Sequence, residues 1–163
     1  MKTKTIKIFL TIALIFVVFS LFLCISSLAS REGRSLTDHL SVLTEKKSPS
    51  DRITENQIQV LEDKVIIYLD NPVLVTYSDT NSMDPTLDNT ANGIEIKPAN
   101  SKEIHVGDII SYKSGEEIIS HRVTAIGYDS DGWFCKTKGD NAQFSDSKVR
   151  FSQIVGLLVV IVY

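Results

Sequence analysis

The sequence predicts an all-β domain, a barrel or sandwich of short strands, carried behind one N-terminal transmembrane helix. Three observations lead there. From Ile58 onward the chain breaks into β-branched and aromatic runs at intervals of about ten residues, punctuated by Gly, Asp, Asn and Ser turns. No long helical pattern occurs in the same stretch. Before it, residues 8–25 form an eighteen-residue run without a charge.

That run, extended by Ile6 and by Leu28-Ala29, is long enough to cross a hydrocarbon core at about 1.5 Å per residue. Lys2, Lys4 and Lys7 precede it without an acid, whereas the far flank mixes Arg31 and Arg34 with Glu32 and Asp38. The bias keeps residues 1–7 cytoplasmic and places everything after the span at 8–29 outside. A cleavable leader has the same ingredients, Ser27 and Ala29 included, but its apolar region is shorter, about 7 to 15 residues. We read a retained anchor.

Residues 30–54 read as a linker. Leu36, Leu40 and Leu43 recur at helical spacing, and Lys46-Lys47-Ser48-Pro49-Ser50-Asp51 reads as a loop. The folded domain is expected from near Glu55 to residue 163. Ile58-Gln59-Val60 and residues 65–69 flank Glu62-Asp63-Lys64 as a hairpin. The apolar run Val73-Leu74-Val75 leads into a polar turn, Tyr77 to Thr86. Residues 87–101 read as a loop with at most a short strand around Ile94 and Ile96. Residues 109–112 and 117–123 form two antiparallel strands about Ser114-Gly115. Asp129-Ser130-Asp131-Gly132 turns the chain into a strand at 133–137, which Lys138-Gly139-Asp140-Asn141 ends. The apolar residues 154–163 are too few to span a bilayer as a helix and suit a buried strand.

Charge and composition narrow the function. Residues 1–54 hold 8 Lys+Arg against 4 Asp+Glu, and residues 55–163 hold 9 against 16. An acidic domain without a basic stripe excludes nucleic acid as the main partner. Cys24 and Cys135 stand alone and make no metal-ligand pattern, and no phosphate loop is present. No metal or organic cofactor is expected.

What remains is nucleophile chemistry. Ser82 lies in the polar turn, immediately before Met83-Asp84-Pro85-Thr86. A serine needs a base within hydrogen-bond reach and donors for the oxyanion that its attack creates. His39 falls in the linker, which leaves His105 and His121 as bases. The histidine in turn needs a carboxylate, and Asp140 and Asp146 both lie on the segment after the 133–137 strand. As isolated residues each has a structural reading too: turn serine, strand histidine, loop aspartate.

Taken together, Ser82-Met83-Asp84-Pro85-Thr86, Val106-Gly107-Asp108-Ile109-Ile110, His121-Arg122-Val123, Lys138-Gly139-Asp140-Asn141 and Ile154-Val155-Gly156 occur in an order that resembles signal peptidase I of the archaeal and endoplasmic-reticulum type. The resemblance covers roughly residues 73–163. It implies a signal-peptidase-like β barrel or sandwich with Ser82 as nucleophile, His121 as base and Asp146 as triad acid, Asp140 being the alternative acid. It implies an oxyanion site from the Ser82 N–H and the Thr80 hydroxyl. It also implies an extracytoplasmic endopeptidase that removes signal peptides, with small residues at −3 and −1, from secretory preproteins. Its partners would be the preprotein, membrane lipid and the translocation machinery. The family's usual Ser-Gly before Ser-Met is Thr80-Asn81 in this chain. Two alternatives stand beside this reading. One is a serine peptidase on the related fold of self-cleaving repressors, with a Ser-Lys pair; the other is an inactive membrane-tethered β-domain that serves as a binding module.

Overall fold

The computed structural model describes residues 46–163. The expected tail at 1–7, the apolar span at 8–29, and His39, Cys24 and the leucine-spaced part of the linker lie outside the described residues. No helix among the described residues is long and apolar enough to cross a membrane.

The described chain is all-β. Its first element is the expected hairpin, β1 (Ile58–Val60) and β2 (Val65–Ile67), paired Ile58 to Ile67 and Val60 to Val65. The Leu61 N–H donates to the Lys64 carbonyl at 2.8 Å and closes the turn. With three residues per strand the hairpin cannot bury a face of its own, and Val60 and Val65 are exposed.

The main sheet has seven strands, each antiparallel to its neighbours: β3 (Val73–Thr76), β4 (Asn92–Ile96), β5 (Ile109–Ser114), β6 (Glu117–Asp129), β7 (Gly132–Lys138), β8 (Lys148–Arg150) and β9 (Ile154–Val162). The order is β3-β4-β9-β5-β6-β7-β8, so β5 to β8 form a meander. The meander's first two turns carry Gly115 at φ 63° and Gly132 at φ 100°, which a Cβ would strain. The last apolar run becomes β9, hydrogen-bonded to β4 on one side and β5 on the other. A nearly uniform apolar strand is stable only where neighbours cover both edges and both faces.

Consecutive residues of the central strands serve opposite faces, as period-two alternation requires. Ile110 and Leu157 pack in a cluster with Ile104, Tyr112, Val123, Cys135, Val149 and Ile154, whereas Ile109 and Leu158 pack with Met83 and Leu87. The second cluster draws two residues from the turn that follows Ser82, and so ties that turn to the sheet.

Three local features depart from the sequence reading. The strand expected at 117–123 continues to Asp129, because a bulge between Val123 and Ala125 absorbs the change of register. Gly127 leaves room there for the Phe134 ring, which a Cβ would meet at 2.7 Å. Strand β8 was not legible, since it has only three residues, of which Val149 alone is buried and apolar between Lys148 and Arg150. Finally, the end of the expected linker falls within the compact unit Lys46–Tyr163. The Ser50 N–H donates to Asp108 Oδ1 at 2.8 Å and the Arg52 guanidinium to Asp108 Oδ2 at 2.7 Å, so the end of the expected linker is bound to the buried Asp108 carboxylate.

Candidate active site

Ser82 sits in the turn between β3 and β4, held from several sides. Met83 is buried in the second core cluster, Leu87 joins it one turn later, and the Thr86 and Leu87 N–H groups both donate to the Met83 carbonyl. Asn81, before the serine, has φ 55°, a left-handed conformation that asparagine tolerates better than other side-chain-bearing residues. The departure from Gly in the resembled motif therefore meets a backbone that asparagine accommodates.

His121 comes from β6, opposite Ile110 of β5 in the ladder. Its Nε2 lies 3.2 Å from Ser82 Oγ and its Nδ1 lies 2.7 Å from Asp146 Oδ2. With the ring proton on Nδ1 donated to Asp146, Nε2 accepts the Ser82 hydroxyl proton; both bonds are then used. The imidazole is nearly buried, at 11% side-chain exposure, and the carboxylate is 24% exposed.

Asp146 lies on the loop between β7 and β8, and Thr137 fixes it twice. The Asp146 N–H donates to the Thr137 carbonyl at 2.8 Å, and the Thr137 hydroxyl donates to Oδ2 at 2.7 Å. Thr137 is fully buried on the face of β7 that also carries Cys135. An inward-facing hydroxyl two residues from a buried apolar one was the available sequence signal, and the sequence reading passed over it.

Asp140 has a different environment. Arg122 Nε donates to its Oδ1 at 2.8 Å and Nη2 to its Oδ2 at 2.7 Å, a two-pronged pair, and the Thr86 hydroxyl adds a bond at 2.7 Å. Burial works against the Asp140 charge, but the Arg122 and Thr86 bonds outweigh it and hold the carboxyl below its ordinary range. Its two oxygens are engaged there, and His121 bonds Asp146 instead. Arg122 also donates to the Gly107 carbonyl at 2.9 Å. The pair anchors the Gly139-Asp140-Asn141 loop, whose Asn141 N–H donates to the Ser82 carbonyl at 2.9 Å and whose Asn141 side chain donates to the Asn81 carbonyl at 3.0 Å.

Comparison with protein families, curated proteins and solved structures finds no match to this chain.

The other candidates fall into place by distance. Thr80 Oγ1 lies 3.1 Å from Ser82 Oγ; in the arrangement in which the serine donates to His121, the threonine is the donor of this bond. No acceptor among the described residues takes the Ser82 N–H. His105 is bound elsewhere, with Nδ1 2.8 Å from Arg52 Nη2 and its N–H on Asp108 Oδ2. Of two lysines that the Ser-Lys alternative could draw on, Lys97 lines the same cleft as Ser82 and His121, whereas Lys113 does not. Burial pushes the Cys135 thiol up to about 12, which leaves it an inert packing group.

Ser82 and His121 open into a cleft of about 980 Å³. Its walls include Val73, Val75, Leu87, Ile118 and Val155, and its polar lining includes Tyr77, Ser111, Ser120 and Glu95. Glu95 was not singled out in the sequence, because a lone acid within Ile94-Glu95-Ile96 reads as the solvent face of an alternating strand. The sheet instead covers it on both sides.

Proposed function

We propose that the chain is a membrane-anchored serine endopeptidase of the signal peptidase I type, which cleaves signal peptides from exported preproteins on the outer face of the membrane. The observation that carries the reading is the hydrogen-bonded series from Ser82 Oγ through His121 to Asp146 at 3.2 and 2.7 Å. The apolar span at 8–29 supplies the anchor, and the open cleft beside Ser82 supplies room for an extended polypeptide.

In this reading His121 Nε2 takes the Ser82 proton as Oγ attacks the scissile carbonyl, and Asp146 stabilises the imidazolium that forms. The tetrahedral oxyanion is held by the Ser82 N–H and, after its hydroxyl turns from Ser82 Oγ, by Thr80. Collapse expels the leaving amine, which His121 protonates. That amine is the N-terminus of the mature protein; water then attacks the signal-peptidyl ester on Ser82, again with His121 as base, and releases the signal peptide as a carboxylate with the serine hydroxyl restored. Lys97 lines the cleft but is exposed, and it is His121 that lies within hydrogen-bond distance of Ser82 Oγ.

The test is to incubate the full-length protein in detergent or lipid with a preprotein carrying Ala at −3 and −1, and to map the cut by mass spectrometry. Cleavage after the −1 residue by the parent, absent in Ser82→Ala, is expected. A folded parent that binds a serine-reactive probe at no position and leaves the preprotein intact would support the inactive binding-module reading instead.

A further inference from the structure

Tyr112 carries a phenol that the series from Ser82 to Asp146 leaves without a task. It lies on β5, is 3% exposed, and packs with Ile110, Val123, Cys135 and Ile154 in the first core cluster. Its hydroxyl is buried and makes no hydrogen bond of normal geometry with any described residue. A phenylalanine would fill the same apolar space without leaving a buried polar group unbonded, so the hydroxyl calls for a partner.

Strand register places that partner. Residues opposite each other in an antiparallel ladder share a face, and so do residues two apart along one strand. Ile110 stands opposite His121, so Tyr112, two residues further along β5, lies on the face that carries His121. Thr137 stands opposite Val123, two residues beyond His121, and lies on that face as well. The polar groups that the Tyr112 hydroxyl faces are the Thr137 hydroxyl and the Asp146 carboxylate, and the other titratable neighbour is the Cys135 thiol, which burial keeps neutral. His121 and Thr137 both bond Asp146 Oδ2, which leaves Oδ1 for a further donor.

We propose that Tyr112 is a positioning residue whose hydroxyl donates to the Asp146 carboxylate, beside the bond from Thr137, and holds it toward His121. The inference rests on the reading of Ser82, His121 and Asp146 as a triad. Asp146 sits on the loop between β7 and β8, 24% exposed, and apart from His121 its bonds both come from Thr137 at the end of β7. A bond from β5, on the far side of β6, ties that loop to a central strand of the sheet. Burial pushes the Tyr112 phenol up to about 12, so it keeps its proton near neutral pH and serves as a donor. Neither Tyr112 nor Asp146 lines the Ser82 cleft, so Tyr112 acts through Asp146 and His121 and not on substrate binding.

The experiment compares the full-length parent with Tyr112→Phe in detergent, by two readouts. The first needs no turnover: exchange with water of the His121 Nδ1 proton, followed by NMR on protein labelled at its three histidines and assigned by loss of the signal in His121→Gln. A carboxylate freed from Tyr112 covers that proton less of the time, so exchange should quicken about tenfold, as the loss of one hydrogen bond allows. The second is cleavage of the Ala-containing preprotein: kcat should fall about tenfold with KM unchanged, a split that a packing defect would not produce. Thermal unfolding identifies a variant that fails to fold. In that case 3-fluorotyrosine at position 112, which keeps the shape and is the stronger donor, decides alone: slower exchange than in the parent supports the proposal, and equal or faster exchange overturns it. For folded Tyr112→Phe, an unchanged exchange rate, an unchanged kcat in a parent that cleaves, or a loss that appears in KM overturns it. Faster exchange in Tyr112→Phe beside a parent that leaves the preprotein uncut would overturn the peptidase reading and leave Tyr112 as the residue that holds Asp146 against His121.

Discussion

The Asn141 N–H donates to the Ser82 carbonyl at 2.9 Å, so the loop after β7 is bonded to the residue proposed as nucleophile. The same loop continues to Asp146, and its position is set by the Arg122–Asp140 pair. Serine, histidine and aspartate are therefore held in register by bonds that are not themselves part of the proposed proton-transfer series. The predictions below test that division of labour.

Gly139 lies at the closest point of the loop. A Cβ there would meet the Ser82 carbonyl oxygen at 2.4 Å and His121 Nε2 at 3.1 Å. The first contact is with backbone, which cannot turn away as a flexible side chain could. Gly139→Ala should lower stability by about 1–3 kcal/mol, the usual effect of an added methyl in a filled site. Activity should fall further than the unfolded fraction explains, because the Ser82–His121 distance opens. Cleavage rate per folded molecule, with folding measured by circular dichroism, checks this. Full activity per folded molecule would mean that the loop yields without moving Ser82.

Asp146 and Asp140 should respond oppositely to replacement. Asp146→Asn keeps shape and removes the charge facing His121, so cleavage should drop by roughly three to four orders of magnitude with little change in thermal unfolding. Asp140→Asn breaks a buried ion pair and should lower stability by about 3 kcal/mol, with a smaller loss of rate in the molecules that stay folded. Thr137→Val should behave as a weaker Asp146→Asn, since it removes one of the two bonds on Oδ2. Turnover and unfolding measured on the three variants side by side decide the matter. A dead but folded Asp140→Asn beside an active Asp146→Asn would reverse the assignment.

Stability should have two pH limbs of opposite sign. Asp140 has a lowered folded value, burial opposing and Arg122 with Thr86 prevailing. Its contribution is complete above the unfolded value, about 4, and is lost as pH falls through the folded value. Glu95 has a raised folded value because burial disfavours its charge. Its contribution is complete below about pH 4 and is lost as pH rises through the folded value. Thermal unfolding recorded across pH should therefore lose part of its acid limb in Asp140→Asn. The upper limb should flatten in Glu95→Gln, which at high pH should match or exceed the parent. An unchanged upper limb in Glu95→Gln would mean that the folded protein holds Glu95 ionised at little expense.

Asn81 tests the turn before the serine. At φ 55° glycine is fully compatible and a β-branched residue is not. Asn81→Gly should retain cleavage, whereas Asn81→Val should lose stability by about 1–2 kcal/mol and activity with it. Equal behaviour of the two variants would indicate that the turn changes conformation when substituted.

The sequence alone determined the all-β class and most of the strands. Their signals are local: β-branched runs around Val73, Ile109, Trp133 and Ile154, and turn chemistry at Gly115 and Gly132. The residues Ser82, His121, Asp140 and Asp146 were also legible, because few side chains in the chain carry that chemistry. The resemblance pointed to Asp146 with Asp140 as the alternative, and only the tertiary structure shows which of the two bonds His121. That choice depends on Arg122 engaging both oxygens of Asp140 while Thr137 turns Asp146 toward His121, and strand pairing brings those groups together across distances that no spacing rule spans. The same reason hid Glu95. Alternation of Ile94, Glu95 and Ile96 looks like one wet face, but β9 returns from the end of the chain to cover it, and burial of an edge or a face is set by a neighbour's position, not by the strand's own residues.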